Sequence, residues 1–150
     1  MAEIDIEQLL AEGKTIQIKP QGYSMYPMFV PGRDEAILRQ ADIQKLQRGD
    51  VVLYRRPNSI LVLHRIARRT ADGFYMVGDN QTEMEGPVAF DQIRGILVGF
   101  VRKGIYHATQ EFWYRVATGI WLWLRPVRRW IIVPAAACKK VFYFFKRLSI

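Results

Sequence analysis

The sequence lacks the residue patterns of several large functional classes. Its single cysteine, Cys138, excludes an internal disulfide. It contains no Cys/His cluster with the spacing of metal ligands and no glycine-rich loop of the phosphate-binding type. We therefore expect neither a metal site nor any other cofactor.

Long hydrophobic runs and a secretory signal are also missing. In the last third of the chain the longest uncharged runs, 116–124 and 130–138, hold nine residues each. A membrane-spanning helix needs about 20 apolar residues. Residues 1–13 are acidic and contain no extended apolar core. We expect neither a membrane-spanning helix nor an export signal.

Acidic residues are nearly absent from the last third. Residues 101–150 carry ten Lys or Arg against Glu111 alone, so the net charge of +8 belongs to the tail. This asymmetry divides the chain into a near-neutral body and a cationic appendage. With a short helical pattern at the N-terminus, three parts are predicted. They are a short N-terminal helix at 1–14, a β-rich core at 15–103 and a basic, aromatic-rich helical tail at 104–150.

The middle of the chain has the pattern of antiparallel β-structure. Short apolar or alternating runs recur about every ten residues and are separated by turn signals rich in Gly, Asp, Asn and Pro. The predicted strands are 15–19, 35–39, 50–55, 60–68, 74–77 and 93–102. We therefore predict a mainly β (α+β) fold with an antiparallel core and C-terminal amphipathic helices.

Two residues of the core are candidates for nucleophilic chemistry. Ser24 lies between Gly22 and Pro27 in a tight loop after the first predicted strand, where a nucleophile can be held outward. A simple turn is the other interpretation of this serine. His64 lies in the predicted strand 60–68 and is interpreted either as a general base or as a buried core histidine.

A histidine base needs a third group that fixes its tautomer. Asp79, in the element Gly78-Asp79-Asn80, is the first candidate, and its alternative role is a turn residue. Glu83 and Glu85 lie just beyond and could serve instead. If the protein is an enzyme, hydrolysis through Ser24 is the leading chemistry.

Four elements, taken in order, resemble the type I signal peptidase superfamily. They are Gly22-x-Ser24-Met25-x-Pro27, Arg48-Gly49-Asp50-Val51-Val52, His64-Arg65-Ile66 and Gly78-Asp79-Asn80. The histidine is similar to that of the archaeal and endoplasmic-reticulum members. The resemblance, which covers about residues 15–103, implies a β-rich catalytic core. It also implies Ser24 as nucleophile, His64 as base and Asp79, or alternatively Glu85, as the acid.

The same resemblance implies how a substrate would bind. The backbone amide of Ser24 or Met25 would stabilise the oxyanion. The substrate would be an extended peptide, paired against a strand edge, with small side chains before the cleaved bond. Contacts to it are predicted from Tyr23, Met25, Tyr26 and Pro27. The alternatives are a self-cleaving repressor-type peptidase, which shares this core, and a non-catalytic, membrane-docked peptide-binding module.

The tail predicts amphipathic helices at a membrane surface. From Phe112 to Leu124 an apolar stripe has helical spacing, and a second such piece follows near the C-terminus. The stripe is Trp113, Val116, Ala117, Ile120, Trp121 and Leu124. Basic helices rich in tryptophan suit the interface of an anionic membrane. The residues assigned to this contact are Trp113, Trp121, Trp123, Trp130, Arg128, Arg129, Phe142 and Phe145.

Other roles for the tail stay open at this point. The helices could pack on the core or form a dimer seam, and nucleic-acid binding is a third, less favoured alternative. We predict a peripheral or monotopic protein of the cytoplasmic membrane. The positive charge favours the cytoplasmic face, whereas signal-peptide removal occurs on the outer face, and both placements stay open.

Overall fold

Eight strands form one antiparallel sheet in the computed structural model, which describes residues 5–57 and 60–135. The sheet order is β1-β2-β7-β3-β4-β5-β6, and β8 pairs with the second half of β7. This confirms the predicted mainly β (α+β) fold. The strands are β1 (Ile16–Ile18), β2 (Asp34–Gln40), β3 (Val51–Arg55), β4 (Leu61–Arg69), β5 (Phe74–Val77), β6 (Glu85–Val88), β7 (Ile93–Arg102) and β8 (Ile105–Ala108).

Two strands, β6 and β8, were not predicted from the sequence. β6 contains Gly86 and Pro87, which have the pattern of a turn. It lies at the end of the sheet, where the missing proline N–H costs no ladder hydrogen bond. β8 follows a tight turn in which Lys103 and Gly104 both have positive φ angles, and it continues the sheet beyond residue 103.

Apolar side chains cover both faces of the sheet. β3 shows this most clearly, because Val51 and Leu53 belong to one hydrophobic cluster while Val52 and Tyr54 belong to another. A strand covered on both faces is apolar throughout rather than alternating. β3 lies between β7 and β4 in the sheet, so the strand that pairs with the His64 strand is at the centre of the core.

Helices accompany the sheet at both ends of the part of the chain that the structure describes. α1 (Ile6–Ala11) begins at Asp5, whose carboxylate caps the amides of Glu7 and Gln8, and it buries Leu10 in the core. α2 (Phe112–Trp123) is followed by a short 3₁₀ turn, Arg125–Val127, and residues 128–135 are again helical.

The face of α2 that packs on the body differs from the predicted stripe. Tyr114, Thr118 and Leu122 are buried. Thr118 tolerates burial because its hydroxyl donates to the Tyr114 carbonyl at 2.8 Å. Half of the predicted stripe, namely Trp113, Val116 and Ile120, is exposed, and the other half is partly buried. The helix therefore contacts the core through its less apolar side.

Among the residues that the structure describes, no helix is long and apolar enough to cross a membrane. The second predicted amphipathic piece, with Phe142 and Phe145, lies outside those residues.

Candidate active site

The Ser24 loop, residues 19–33, joins β1 to β2 and is held from both ends. Met25 and Phe29 are buried in the core, so the loop is anchored just after the serine. At the far end the buried Asp34 carboxylate accepts the Val30 amide at 2.8 Å and pairs with Arg102 at 2.7 Å. Ser24 itself stays half-buried at the surface of the molecule.

Ser24 and His64 line the same cavity, which has a volume of about 410 Å³. His64 comes from β4 and is only 2% exposed. Within residues 5–57 and 60–135, no direct hydrogen bond joins the Ser24 hydroxyl to the imidazole. Catalytic hydrogen bonds are often long in unliganded enzymes and tighten when substrate binds. The fold thus places the predicted nucleophile and the predicted base on the wall of one cavity.

A series of polar side chains contacts His64 at its Nδ1 atom. Its Nδ1 lies 3.1 Å from the Tyr54 hydroxyl, and that hydroxyl donates to Glu85 Oε2 at 2.9 Å. Arg56 holds the Glu85 carboxylate from the other side through two hydrogen bonds, of 2.7 and 2.5 Å. The Glu85 carboxylate is 4.0 Å from His64 Nδ1, so Tyr54 is the link between them.

The single hydroxyl proton of Tyr54 determines which tautomer His64 adopts. A phenol has a single hydroxyl proton, and Tyr54 uses it to donate a hydrogen bond to Glu85. Nδ1 must then carry the proton that closes its contact with the Tyr54 oxygen. In a neutral imidazole this leaves Nε2 with the lone pair, which is what a general base requires.

The charge states agree with this assignment. Burial lowers the pKa of His64 to about 4, so the ring is neutral at physiological pH. The hydrogen bonds from Arg56 lower the pKa of Glu85, which keeps that carboxylate ionised and able to accept the Tyr54 proton. Burial raises the pKa of Tyr54 well above its usual value, so the phenol keeps its proton.

Asp79 has a different partner from the one expected. Its carboxylate forms two hydrogen bonds with the Arg65 guanidinium, of 2.9 and 2.7 Å, and both side chains are fully buried. His64 and Arg65 are consecutive in β4, so their side chains point to opposite faces of the sheet. Of the acids considered, Glu85 is the one linked to His64, while Glu83 is exposed.

The element Gly78-Asp79-Asn80 nevertheless contacts the Ser24 loop directly. The Asn80 amide donates to the Ser24 carbonyl at 2.8 Å. A Cβ on Gly78 would lie 2.5 Å from that same carbonyl oxygen, so only glycine allows this approach. The Arg65–Asp79 pair fixes the position of this element, and the element in turn supports Ser24.

The predicted oxyanion donors are available. In the described part of the chain, the backbone amides of Ser24 and Met25 have no hydrogen-bond acceptor. Two free N–H groups beside a nucleophile could stabilise a developing oxyanion.

Of the four residues predicted to contact the substrate, one lines the cavity. Met25 lines it, although most of this side chain is buried in the core. Tyr23, Tyr26 and Pro27 are not among the lining residues. The wall is made instead by β1, the start of β4 and the Ser24 loop, through apolar residues that include Ile18, Phe29, Leu61 and Leu63.

Tyr54 and Arg56 are site residues that the sequence reasoning missed. The register of β3 and β4 pairs Val52 with His64, which puts Tyr54 on the same face one diagonal step away. The alternation within the predicted strand 50–55 already placed Val52 and Tyr54 on one face. The pairing register, which the sequence does not contain, was the missing information.

The residues assigned to a membrane contact separate into two groups. Trp123, Trp130 and Arg129 are exposed, and Trp113 is 45% exposed. Trp121 and Arg128 instead face the body, and Arg128 is fully buried.

Across residues 5–57 and 60–135, no group of three or more His, Cys, Asp or Glu could hold a metal ion.

Comparisons with protein-family models, with curated proteins and with solved structures find no match to this chain.

Proposed function

We propose that this protein is a serine endopeptidase that cleaves extended peptide segments by a Ser/His mechanism at a membrane surface. The observation that carries the proposal is the shared cavity of Ser24 and His64, backed by a Tyr54–Glu85 chain that leaves Nε2 as the basic nitrogen. The resemblance of the motifs to the signal peptidase superfamily is consistent with this chemistry and stays a prediction.

Two strand edges support an extended substrate. β1 is the last strand at one end of the sheet, and β5 pairs with β4 only from Arg65 onward. Within the described residues, the start of β4 therefore has a free edge beside His64. Both edges line the cavity, so a peptide could add to either as an extra strand.

The proposed reaction has two steps. The Ser24 oxygen attacks the peptide carbonyl carbon, His64 Nε2 takes the serine proton, and the free amides of Ser24 and Met25 stabilise the oxyanion. The C–N bond then breaks as His64 returns the proton to the leaving amine, which leaves an ester on Ser24. Water attacks this ester, with His64 again as base, and the released acid regenerates Ser24.

Cleavage by the purified full chain tests this proposal through its pH dependence. The probe is a synthetic peptide with an apolar segment ending in Ala-x-Ala, presented with anionic vesicles and followed by mass spectrometry. Because His64 has a pKa of about 4, kcat/KM should hold from pH 7 down to about pH 5 and fall near pH 4. A midpoint near the ordinary histidine value of about 6.5 would contradict the lowered pKa that burial gives His64 in the free protein.

Removal of the Tyr54 hydroxyl tests the tautomer assignment. Tyr54→Phe leaves His64 Nδ1 and Glu85 unlinked, and we expect kcat to fall by about 10²-fold, since a wrong tautomer costs up to about 10⁴-fold in a serine protease triad. Glu85→Gln should also lower kcat. The matched control is Tyr75→Phe on β5, which should retain its activity. Unchanged kcat in Tyr54→Phe would rule out this chain as the orienting group.

The exposed face of the C-terminal helices supports the membrane part of the proposal. Phe112, Trp123 and Trp130 are 83%, 74% and 79% exposed. A large contiguous patch of exposed apolar side chains usually marks a contact surface for a protein or a membrane. Exposed cations, Arg115 and Arg129, accompany them. Aromatic side chains beside cations match the interface of an anionic bilayer.

Vesicle co-sedimentation tests this contact. The double variant Trp123→Ser, Trp130→Ser should bind anionic vesicles at least about tenfold more weakly, because burying each large apolar side chain contributes about 1.5–3 kcal/mol. Binding of the native protein should also weaken at high salt and on neutral vesicles. Equal binding to anionic and neutral vesicles, or transfer to nucleic acid instead, would overturn the assigned partner.

A further inference from the structure

We propose that Trp121 and Arg128 are positioning residues that hold the Ser24 nucleophile through the backbone of residues 78–82. This inference rests on the proposed role of Ser24. It assigns the two side chains to the site, although their position in the sequence suggests a contact with lipid.

The Trp121 contact joins α2 to the 78–82 segment. Its indole Nε1 donates to the Asp79 carbonyl at 2.8 Å. Arg125, just after α2, donates to the Thr82 carbonyl at 2.6 Å. Two side chains from the helical tail thus satisfy backbone acceptors of a segment more than forty residues away in the chain.

Arg128 makes the largest contribution to this contact. Its Nη1 donates to the carbonyls of Gly78 and Gln81, both at 2.9 Å, while Nε and Nη2 donate to the Trp121 carbonyl. The guanidinium lies over the Trp121 ring, 5.4 Å from its centroid. A buried cation is costly unless its donors are satisfied. Among the described residues Arg128 has no carboxylate partner, and backbone carbonyls fill that role.

The other side of the same segment holds the nucleophile. The Asn80 amide donates to the Ser24 carbonyl, and Gly78 approaches that carbonyl more closely than any other residue could. Between the helical tail and Ser24 there is therefore only one layer of backbone. The carbonyls of residues 78, 79, 81 and 82 face the tail donors, and the amide of residue 80 faces Ser24.

The helix that presents the exposed apolar face is thus also the one that supports Ser24. Trp121 and Trp123 illustrate the division, since they are two residues apart and face the body and the outside respectively. One side of α2 would dock on the membrane and the other side would position Ser24. Both roles would therefore depend on the same rigid helix.

The first test separates kcat from KM in the peptide assay with anionic vesicles. Trp121→Phe removes the indole donor, and Arg128→Lys keeps the charge but loses the fork of donors. We expect kcat to fall by about 10- to 100-fold in each, with KM and vesicle binding nearly unchanged, because small displacements of a nucleophile are costly. The control is Arg39→Lys, an exposed arginine of β2 without a contact to the segment.

The second test does not depend on peptide cleavage. With Cys138→Ala in place, Ser24→Cys creates a single thiol at the nucleophile position. Its alkylation by iodoacetamide should be at least about fivefold faster when Trp121→Phe or Arg128→Lys is added, because a released loop exposes this half-buried side chain. Arg39→Lys should leave the rate unchanged. Circular dichroism at the assay temperature shows that each variant is folded.

The two readouts distinguish the inference from the proposed function. If folded Trp121→Phe and Arg128→Lys variants match the control in alkylation rate and in kcat, the inference is wrong. If the native protein cleaves no peptide but the thiol becomes more reactive in both variants, the positioning role stands and the peptidase proposal fails. A loss of thermal stability with an unchanged alkylation rate would assign the two residues to stability alone.

Discussion

Replacement of Ser24 by alanine should reduce peptide cleavage by at least about 10³-fold, because it removes the hydroxyl on which the proposed acyl intermediate forms. His64→Ala should have an effect of similar size, since the serine hydroxyl is a poor nucleophile without a base. The double variant should be no worse than either single variant. Members of one catalytic unit are strongly non-additive, and this non-additivity distinguishes a shared mechanism from two independent contributions to binding.

The chain supplies its own control for this experiment. His107, the second histidine, lies on β8 and stacks on Phe100 with 5.2 Å between ring centroids. It is not among the residues that line the Ser24 cavity. His107→Ala should keep kcat within a few-fold of the native value. Retained cleavage in Ser24→Ala would overturn the mechanism. Retained peptide affinity without cleavage by the native protein would favour a peptide-binding module instead.

Loss of the Asp79 carboxylate should destabilise the fold more than any other single change in the site. Asp79→Asn leaves the Arg65 charge fully buried without its partner, and breaking such a pair costs about 3–5 kcal/mol. The measurement is the free energy of unfolding from denaturant titration. The double variant Arg65→Met, Asp79→Leu should be less destabilised than Asp79→Asn, because it leaves no buried charge.

An exposed ion pair gives the matched control. Asp42 and Lys45 are 3.2 Å apart, and both side chains are largely exposed. Asp42→Asn should therefore change the free energy of unfolding by less than about 1 kcal/mol. If Asp79→Asn kept native stability but lost cleavage, Asp79 would be the catalytic acid after all. Glu85→Gln should show the opposite pattern, since its main effect should be on kcat and not on the free energy of unfolding.

Much of the fold could be predicted from the sequence because the signals are local. The strands 74–77 and 93–102 match β5 and β7, and the helix predicted from Phe112 ends within one residue of its observed limit. Alternation, turn residues and helical spacing act over a few neighbours. β6 was missed because Pro87 normally marks a turn, and only its place at the end of the sheet makes a strand there acceptable.

The candidate site was predictable only in part. Ser24 and His64 carry their own signals, namely a tight loop and a lone imidazole in an apolar strand. Glu85 had been an alternative to Asp79, and no local pattern could choose between them. The choice depends on which side of β4 each acid approaches, and that follows from strand register and from the path of residues 78–84.

The sequence by itself determined that the chain has an antiparallel core, a serine in a constrained loop, one core histidine and a cationic aromatic tail. Composition and short-range periodicity are sufficient for each of these. The tertiary structure alone decided that Tyr54 joins His64 to Glu85, that Asp79 pairs with Arg65, and that Trp121 and Arg128 face the body. These outcomes depend on contacts between residues far apart in the chain, where buried polar groups must find partners, and such pairings have no signature in local sequence.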